Sequence, residues 1–216
     1  MGLSVYRRHF IAAGLGPVFV GLSRPLPAAT RGTVILVLGD SLSAEYGLRR
    51  GSGWVALLEQ RLSAQKIEAT VVNASISGDT TSGGRTRLPD LLAQHHPSHV
   101  LIELGANDAL RGLPLGMTQD NLNHMTQAAQ QAGAKVLLLG MQVPPNYGAD
   151  FAQRFAAIFA TVTKANKAAL VPFLLKGIAD APDALQQFQS DRIHPKEAAH
   201  PMMLDNVWPE LKKLLK

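Results

Sequence analysis

At 216 residues the chain is long enough to bury one sizeable core and too short for two comfortable domains. Hydrophobic residues at 46% and charged residues at 17% describe a folding globular chain and exclude a disordered one. The formal charge of +5 includes Arg7, Arg8 and Arg24; beyond residue 29 there remain 18 basic against 16 acidic side chains, a balance of +2 that gives no electrostatic reason to expect nucleic-acid binding. The absence of cysteine excludes disulfides and thiolate metal sites and leaves the redox compartment undecided.

The compartment is suggested by the first residues instead. Arg7-Arg8-His9 precedes an apolar run from Phe10 to Leu22, and small residues Ala28-Ala29-Thr30 follow Pro25 and Pro27. A basic start, a short apolar stretch and a small-residue end predict an export signal over residues 1–29, with the mature domain at 30–216 and a periplasmic or secreted destination. Tyr6-Arg7-Arg8-His9-Phe10-Ile11 also resembles a twin-arginine signal. The apolar run is too short to span a bilayer, so no stable membrane span is expected after cleavage.

The first strand is predicted at Thr33 to Leu38, a branched apolar run with no wet face, which breaks into Gly39-Asp40-Ser41-Leu42-Ser43. A Gly-rich loop, 47–53, leads to a helix beginning at Trp54, whose apolar residues recur every three to four positions. Ala69 to Val72 is a second strand, and the small polar run 73–84 reads as a loop before a helix over 85–94. A third strand, His99 to Leu104, breaks into Gly105-Ala106-Asn107-Asp108, read as another loop. Thr118 is placed to cap a helix reaching Ala132, with Gly133 behind it. A fourth strand (135–141), a helix (150–166), a short fifth strand (169–171) and a last helix (196–215) complete the chain. Strands alternating with helices predict a single α/β domain: a three-layer α/β/α sandwich around a mainly parallel five-stranded sheet.

In a parallel sheet the strands' C-terminal ends share one edge, so the three polar breaks at Gly39-Asp40-Ser41, Ser77-Gly78-Asp79 and Gly105-Ala106-Asn107-Asp108 should converge there. Near the C-terminus stands Asp191-Arg192-Ile193-His194-Pro195. An Asp three residues before a His can accept from the imidazole Nδ1–H, fixing the tautomer and leaving Nε2 to take a proton from a serine. A serine hydroxyl needs such a base to act as a nucleophile, and the oxyanion it generates needs preorganised neutral donors. Ser41, His194 and Asp191 are therefore the candidate catalytic residues, with Ser41 N–H, Gly78 N–H and the Asn107 amide as candidate oxyanion donors. Taken alone, each has a plainer reading: a cap, a turn, an Asx motif. Their joint order is what points to acyl transfer. The pattern Gly39-Asp40-Ser41-Leu42 is not the Gly-x-Ser-x-Gly elbow of the α/β-hydrolases. Asp40 is read as a cap or loop group, Trp54 and Trp208 as core, and His95, His96, His99, His124 and His200 as surface or edge residues without metal-ligand spacing.

Gly39-Asp40-Ser41-Leu42-Ser43, Gly78, Gly105-Ala106-Asn107-Asp108 and Asp191-Arg192-Ile193-His194-Pro195 resemble the four blocks of the GDSL, or SGNH, hydrolases, and within them the bacterial thioesterase I/lysophospholipase/arylesterase type. The similarity extends through 73–80, 100–105, 110–112 and 145–148, nearly all of 33–215. It implies a flavodoxin-like sheet, Ser41 as nucleophile, His194 as base, Asp191 as its orienter, and Ser41, Gly78 and Asn107 as the oxyanion hole. It further implies no cofactor and a small-molecule acyl ester or thioester as substrate; no metal site and a monomer are the accompanying expectations. Ala106 stands where the family has a second glycine, and Arg192 and Lys196 replace its usual Gly and Asn, which leaves substrate charge preference and pH profile open. A polysaccharide or small-molecule acetylesterase on the same fold is the alternative, and a non-catalytic lipid-binding module a further one. Leu110 to Leu115 and Pro144 to Tyr147 are expected to wall an acyl groove.

Overall fold

A buried parallel sheet needs strands that are apolar on both faces, and the apolar runs at 33–39, 99–103 and 135–139 take its interior. The structure is a computed structural model that describes residues 1–2 and 32–216; the expected export signal lies outside the described residues. The strands are β1 (Thr33–Gly39), β2 (Ala69–Asn73), β3 (His99–Glu103), β4 (Lys135–Leu139) and β5 (Ala169–Val171), all parallel, in the spatial order β2-β1-β3-β4-β5. Every residue of β3, and β1 from Ile35 onward, is buried, whereas edge strand β2 has partly exposed residues throughout.

The helices are α1 (Trp54–Ala64), α2 (Thr81–His95), α3 (Ala106–Leu110), α4 (Leu115–Gln131), α5 (Ala149–Asn166), α6 (Ala184–Gln187) and α7 (His200–Leu214). α1 packs on α7, while α4 packs between α2 and α5, which gives the expected helical layers around the sheet. Because β1 connects to β2 on one side and β2 returns to β3 on the other, the strand order reverses between β1 and β3. Open α/β sheets bind ligands at such a switch point, outside the carboxyl ends of the strands. Within the described residues, no helix is long and apolar enough to cross a membrane.

Several boundaries differ from expectation for identifiable reasons. α2 starts at Thr81, well inside the segment read as a loop. Thr80 caps it by accepting from Gly83 N–H at 3.3 Å, and a Cβ on Gly84 would overlap Leu104 Cδ1. The small residues that looked like loop composition are what lets this helix lie close against the sheet. Residues 106–110 also form a short helix rather than a loop. Thr118 does not cap α4, which begins behind Pro114; it is fully buried one turn in and its hydroxyl donates to Asp108 Oδ1 at 3.3 Å. The last helical segment is divided into a 3-10 turn, Glu197–Ala199, and α7, and the short α6 had no clear periodic signal.

Trp54 is fully buried as expected, while Trp208 is only half-buried, flanked by Arg61 and Lys212. His99 and His200 are buried, not surface residues. His99 lies between Ser98 Oγ (2.9 Å) and the Leu214 carbonyl (3.0 Å), and His200 Nδ1 accepts from Trp54 N–H at 3.0 Å. Burial lowers the pKa of both histidines.

Candidate active site

The chain leaves β1 through a tight turn that starts at Asp40. Ser43 N–H and Ala44 N–H donate to the Asp40 carbonyl at 3.2 and 2.9 Å, and Leu42 N–H donates to its Oδ1 at 3.1 Å. Asp40 is thus the cap of the turn, as read from the sequence. Ser41 is left half-buried with its hydroxyl 2.8 Å from His194 Nε2.

His194 Nδ1 lies 2.7 Å from Asp191 Oδ2, and Asp191 Oδ1 accepts from Ile193 N–H at 2.9 Å and His194 N–H at 3.1 Å. Residual burial tends to raise the Asp191 pKa, but these hydrogen bonds and the His194 charge outweigh it and hold the carboxyl at about 2. An ionised Asp191 only accepts, so Nδ1 carries the proton and Nε2 accepts from the Ser41 hydroxyl. The Asp-x-x-His turn works because Arg192 takes a left-handed conformation, φ 60°, where the family pattern has glycine.

The two halves of this chain of hydrogen bonds are tied together by side chains that carried no sequence motif. Gln189 Nε2 donates to the Tyr46 carbonyl (3.0 Å) and the Pro195 carbonyl (3.2 Å), and its N–H donates to the His194 carbonyl at 2.8 Å. The Tyr46 ring lies 4.3 Å, centroid to centroid, from the His194 imidazole. The turn after β1 and the turn bearing the histidine are therefore held against each other from both sides.

The other expected donors sit on the neighbouring strand exits. Ile76 N–H donates to the Gly39 carbonyl at 3.0 Å, which anchors the loop carrying Gly78 to the end of β1. Gly78 has φ 80°, a glycine conformation, and its carbonyl accepts from Arg111 Nη2 at 2.6 Å. Among the described residues neither Ser41 N–H nor Gly78 N–H is engaged in a hydrogen bond. Asn107, in the first turn of α3, donates one Nδ2–H to Asp40 Oδ2 at 2.9 Å. The structure thus joins Ser41, His194 and Asp191 directly, and reaches Asn107 through Asp40.

Three further polar residues support this edge, and motif reading passed over them. Arg87, from α2, donates to Asp79 Oδ2 (2.9 Å), the Gly39 carbonyl (3.3 Å) and the Ala74 carbonyl, clasping the exits of β1 and β2. Asp108 is fully buried and accepts from Thr81 N–H at 2.9 Å, from the Thr81 hydroxyl and from Thr118. Glu103, the last residue of β3, is also fully buried; its Oε2 accepts from Asp40 N–H at 3.2 Å and Ser43 Oγ at 2.8 Å. The available signal for Glu103 was an acid closing an otherwise apolar strand, since a buried carboxyl must find partners. Burial pushes Asp40 up to about 6 against its hydrogen bonds and the His194 charge; burial, then the Asp40 charge, pushes Glu103 well above the carboxylate range. Among the described residues no group of three His, Asp or Glu side chains is arranged to hold a metal ion.

This combination defines a class: an α/β protein with a serine hydrogen-bonded to a histidine, and unused N–H donors, at the sheet's switch point. Comparison with known proteins gives the family. The model of the GDSL-like lipase/acylhydrolase family matches residues 37–201. The chain is 51% identical to esterase TesA of Pseudomonas aeruginosa, over 84% of this chain and 89% of that protein. It is 39% identical to thioesterase 1/protease 1/lysophospholipase L1 of Escherichia coli K12, over 87% of each chain. Among solved structures, the psychrotrophic esterase EstA of a Pseudoalteromonas species, inhibited by monoethylphosphonate, superposes with a TM-score of 0.79 at 41% identity, over 85% of this chain and 98% of that one. The chain belongs to the GDSL-like lipase/acylhydrolase family.

Proposed function

We propose that this protein is a serine hydrolase that cleaves carboxylic esters and thioesters of fatty acids, lysophospholipids among them, through an acyl-enzyme on Ser41. The observation that carries this reading is the unbroken line Ser41 Oγ–His194 Nε2, His194 Nδ1–Asp191 Oδ2, at 2.8 and 2.7 Å. Ser41 Oγ attacks the acyl carbon as its proton passes to Nε2, and the carbonyl oxygen becomes an oxyanion. Asp191 stabilises the imidazolium by charge and orientation without taking the proton. Collapse of the tetrahedral intermediate breaks the bond to the alcohol or thiol, which leaves with the proton from Nε2. Water, deprotonated by the same nitrogen, then releases the acid and restores Ser41.

The oxyanion is received by Ser41 N–H, Gly78 N–H and the remaining Asn107 Nδ2–H, all neutral donors at strand exits. The acyl chain has an apolar place to lie. Of the large hydrophobic side chains left exposed, Tyr46, Ile76, Leu110 and Ile193 stand on the segments that carry Ser41, Gly78, Asn107 and His194. Exposed apolar groups grouped around a polar centre are what a fatty-acyl substrate requires. The names of the relatives, esterase and thioesterase/lysophospholipase, support the same substrate class.

A fluorophosphonate probe tests the mechanism. It is expected to label Ser41 in the native protein and to leave folded Ser41→Ala unlabelled and inactive; native protein that stays unlabelled would overturn the mechanism. A p-nitrophenyl ester series from acetate to palmitate tests the substrate class, with long chains expected to be accepted. Turnover confined to acetate would replace it with acetylesterase activity. The basic, then apolar, then small-residue pattern over 1–29 supports export to the periplasm or beyond, and N-terminal sequencing of exported protein should give a start near residue 30. Action as a monomer is part of the proposal, and sedimentation should give the mass of one chain.

A further inference from the structure

Behind the nucleophile lies a buried pair of carboxyls that the reaction scheme above does not use. The β1–β3 register sets Gly39 opposite Glu103, which puts the Glu103 side chain against Asp40, the residue before Ser41. Asp40 N–H donates to Glu103 Oε2 at 3.2 Å, and both residues are cut off from water, at most 1% exposed. Two neighbouring carboxyls in such a place do not both ionise, so one of the pair must carry a proton.

The surrounding bonds say which. Both Asp40 oxygens already accept, Oδ1 from Leu42 N–H and Oδ2 from Asn107 Nδ2–H. Glu103 Oε2 accepts from Asp40 N–H and from Ser43 Oγ, and Ser43 Oγ in turn accepts from Trp54 Nε1–H at 3.2 Å. Glu103 Oε1 is buried with no donor facing it. An unpartnered carboxylate oxygen in this fully buried place is costly, whereas a protonated Glu103 can offer its O–H to the neighbouring Asp40 carboxylate.

We propose that Glu103 is a positioning residue that keeps its carboxyl protonated and donates that proton to Asp40, so that Asp40 remains an all-acceptor carboxylate holding the Asn107 amide in the orientation that aims its second N–H at the oxyanion. This rests on the assignment of Asn107 as an oxyanion donor. Without the Glu103 proton the two acids would repel each other at the base of the nucleophile's turn. Without the Asp40 charge, the Asn107 amide would be free to rotate and present its oxygen, which cannot receive an oxyanion. The strong upward displacement of Glu103 agrees with its holding the proton.

The test separates a proton donor from a mere space-filler. Gln at 103 keeps an N–H where the O–H is proposed and an oxygen where Oε2 accepts; Leu keeps neither. Glu103→Leu should lower kcat by about 10²-fold with KM little changed, and Glu103→Gln should restore kcat to within about threefold of the native value. Asp40→Asn should lose kcat by about 10²–10³-fold, because an amide facing three donors must leave one unpaired. Infrared spectra at neutral pH give a readout independent of turnover. A protonated-carboxyl C=O stretch should be present in the native protein and in Ser41→Ala, and missing in Glu103→Gln. The proposal is overturned by a native spectrum without that band, or by the reverse ranking, with Asp40→Asn active and Glu103→Gln no better than Glu103→Leu. If the phosphonate fails to label Ser41, the hydrolase mechanism falls while the band still decides where the proton is.

Discussion

The site is built from two regions of opposite character. The side carrying Ser41, at the ends of β1 and β3, is dry: Asp40, Glu103 and Asp108 are at most 1% exposed, and each is held by at least one hydrogen bond that reaches across 27 to 67 residues of sequence. The side carrying His194, residues 191–194, is a surface turn whose carboxylate retains 34% of its side-chain exposure and is satisfied by neighbours two and three residues away. The difference follows from what each must do. Oxyanion donors work by not having to reorganise, which calls for a rigid, low-dielectric support. A carboxylate that must stay charged is better served by water and local N–H donors than by burial.

Changes on the wet side should therefore damage chemistry and spare folding, while changes on the dry side should damage both. The largest expected effect is from Asp191→Asn, which removes the acceptor that selects the tautomer. kcat should fall by about 10⁴ while the protein still folds. Since the folded Asp191 carboxyl sits at about 2, below the unfolded value near 3.9, its stabilising contribution is present above pH ~4 and lost only as pH falls toward 2. Loss of activity between pH 7 and 5 should accordingly be unconnected with Asp191, and a pH–stability curve should show its contribution falling away only below pH ~4.

Asn107→Ala comes next, with kcat reduced by about 10²–10³ and KM little altered. It tests the chemistry of the dry side, since it removes a proposed oxyanion donor and one of the Asp40 partners together. Asp108→Ala tests the dry side by itself. It leaves the Thr81 N–H and the Thr81 and Thr118 hydroxyls without their acceptor and should destabilise by about 3 kcal/mol in urea denaturation, with activity lost in parallel because α3 carries Asn107. If Asp108→Ala kept native stability, the division into a dry, structural half and a wet, chemical half would fail. The smallest effect is at Arg192, where Gly fits the observed φ of 60° without the left-handed cost. Arg192→Gly should stabilise by about 1 kcal/mol, seen as a rise of about 2–4 °C in thermal midpoint. The same variant removes a cation beside His194, so any change it makes in preference between anionic and neutral esters measures that charge.

Most strands could be placed from the chain because the apolar runs at 33–38 and 99–103 have no alternative to a two-sided burial. The start of α2 could not. Its Ser-Gly-Gly composition favours a loop locally, and only the close approach of Gly84 to Leu104 makes glycine the residue a helix needs there. Thr118 and His200 depart from expectation for a related reason: a hydroxyl or imidazole is ambiguous until a particular buried partner, Asp108 or the Trp54 N–H, competes for it.

Sequence by itself determined the parallel α/β architecture and the order of the polar blocks, down to Ser41, Gly78, Asn107, Asp191 and His194, because strand periodicity and short-range turn chemistry are local properties. Tertiary structure alone decided that Gln189 and Tyr46 brace the histidine, that Arg87 clasps two strand exits, and that Glu103 meets Asp40. Those contacts depend on sheet register and on which groups lose their water, and neither quantity is carried by any short stretch of the chain.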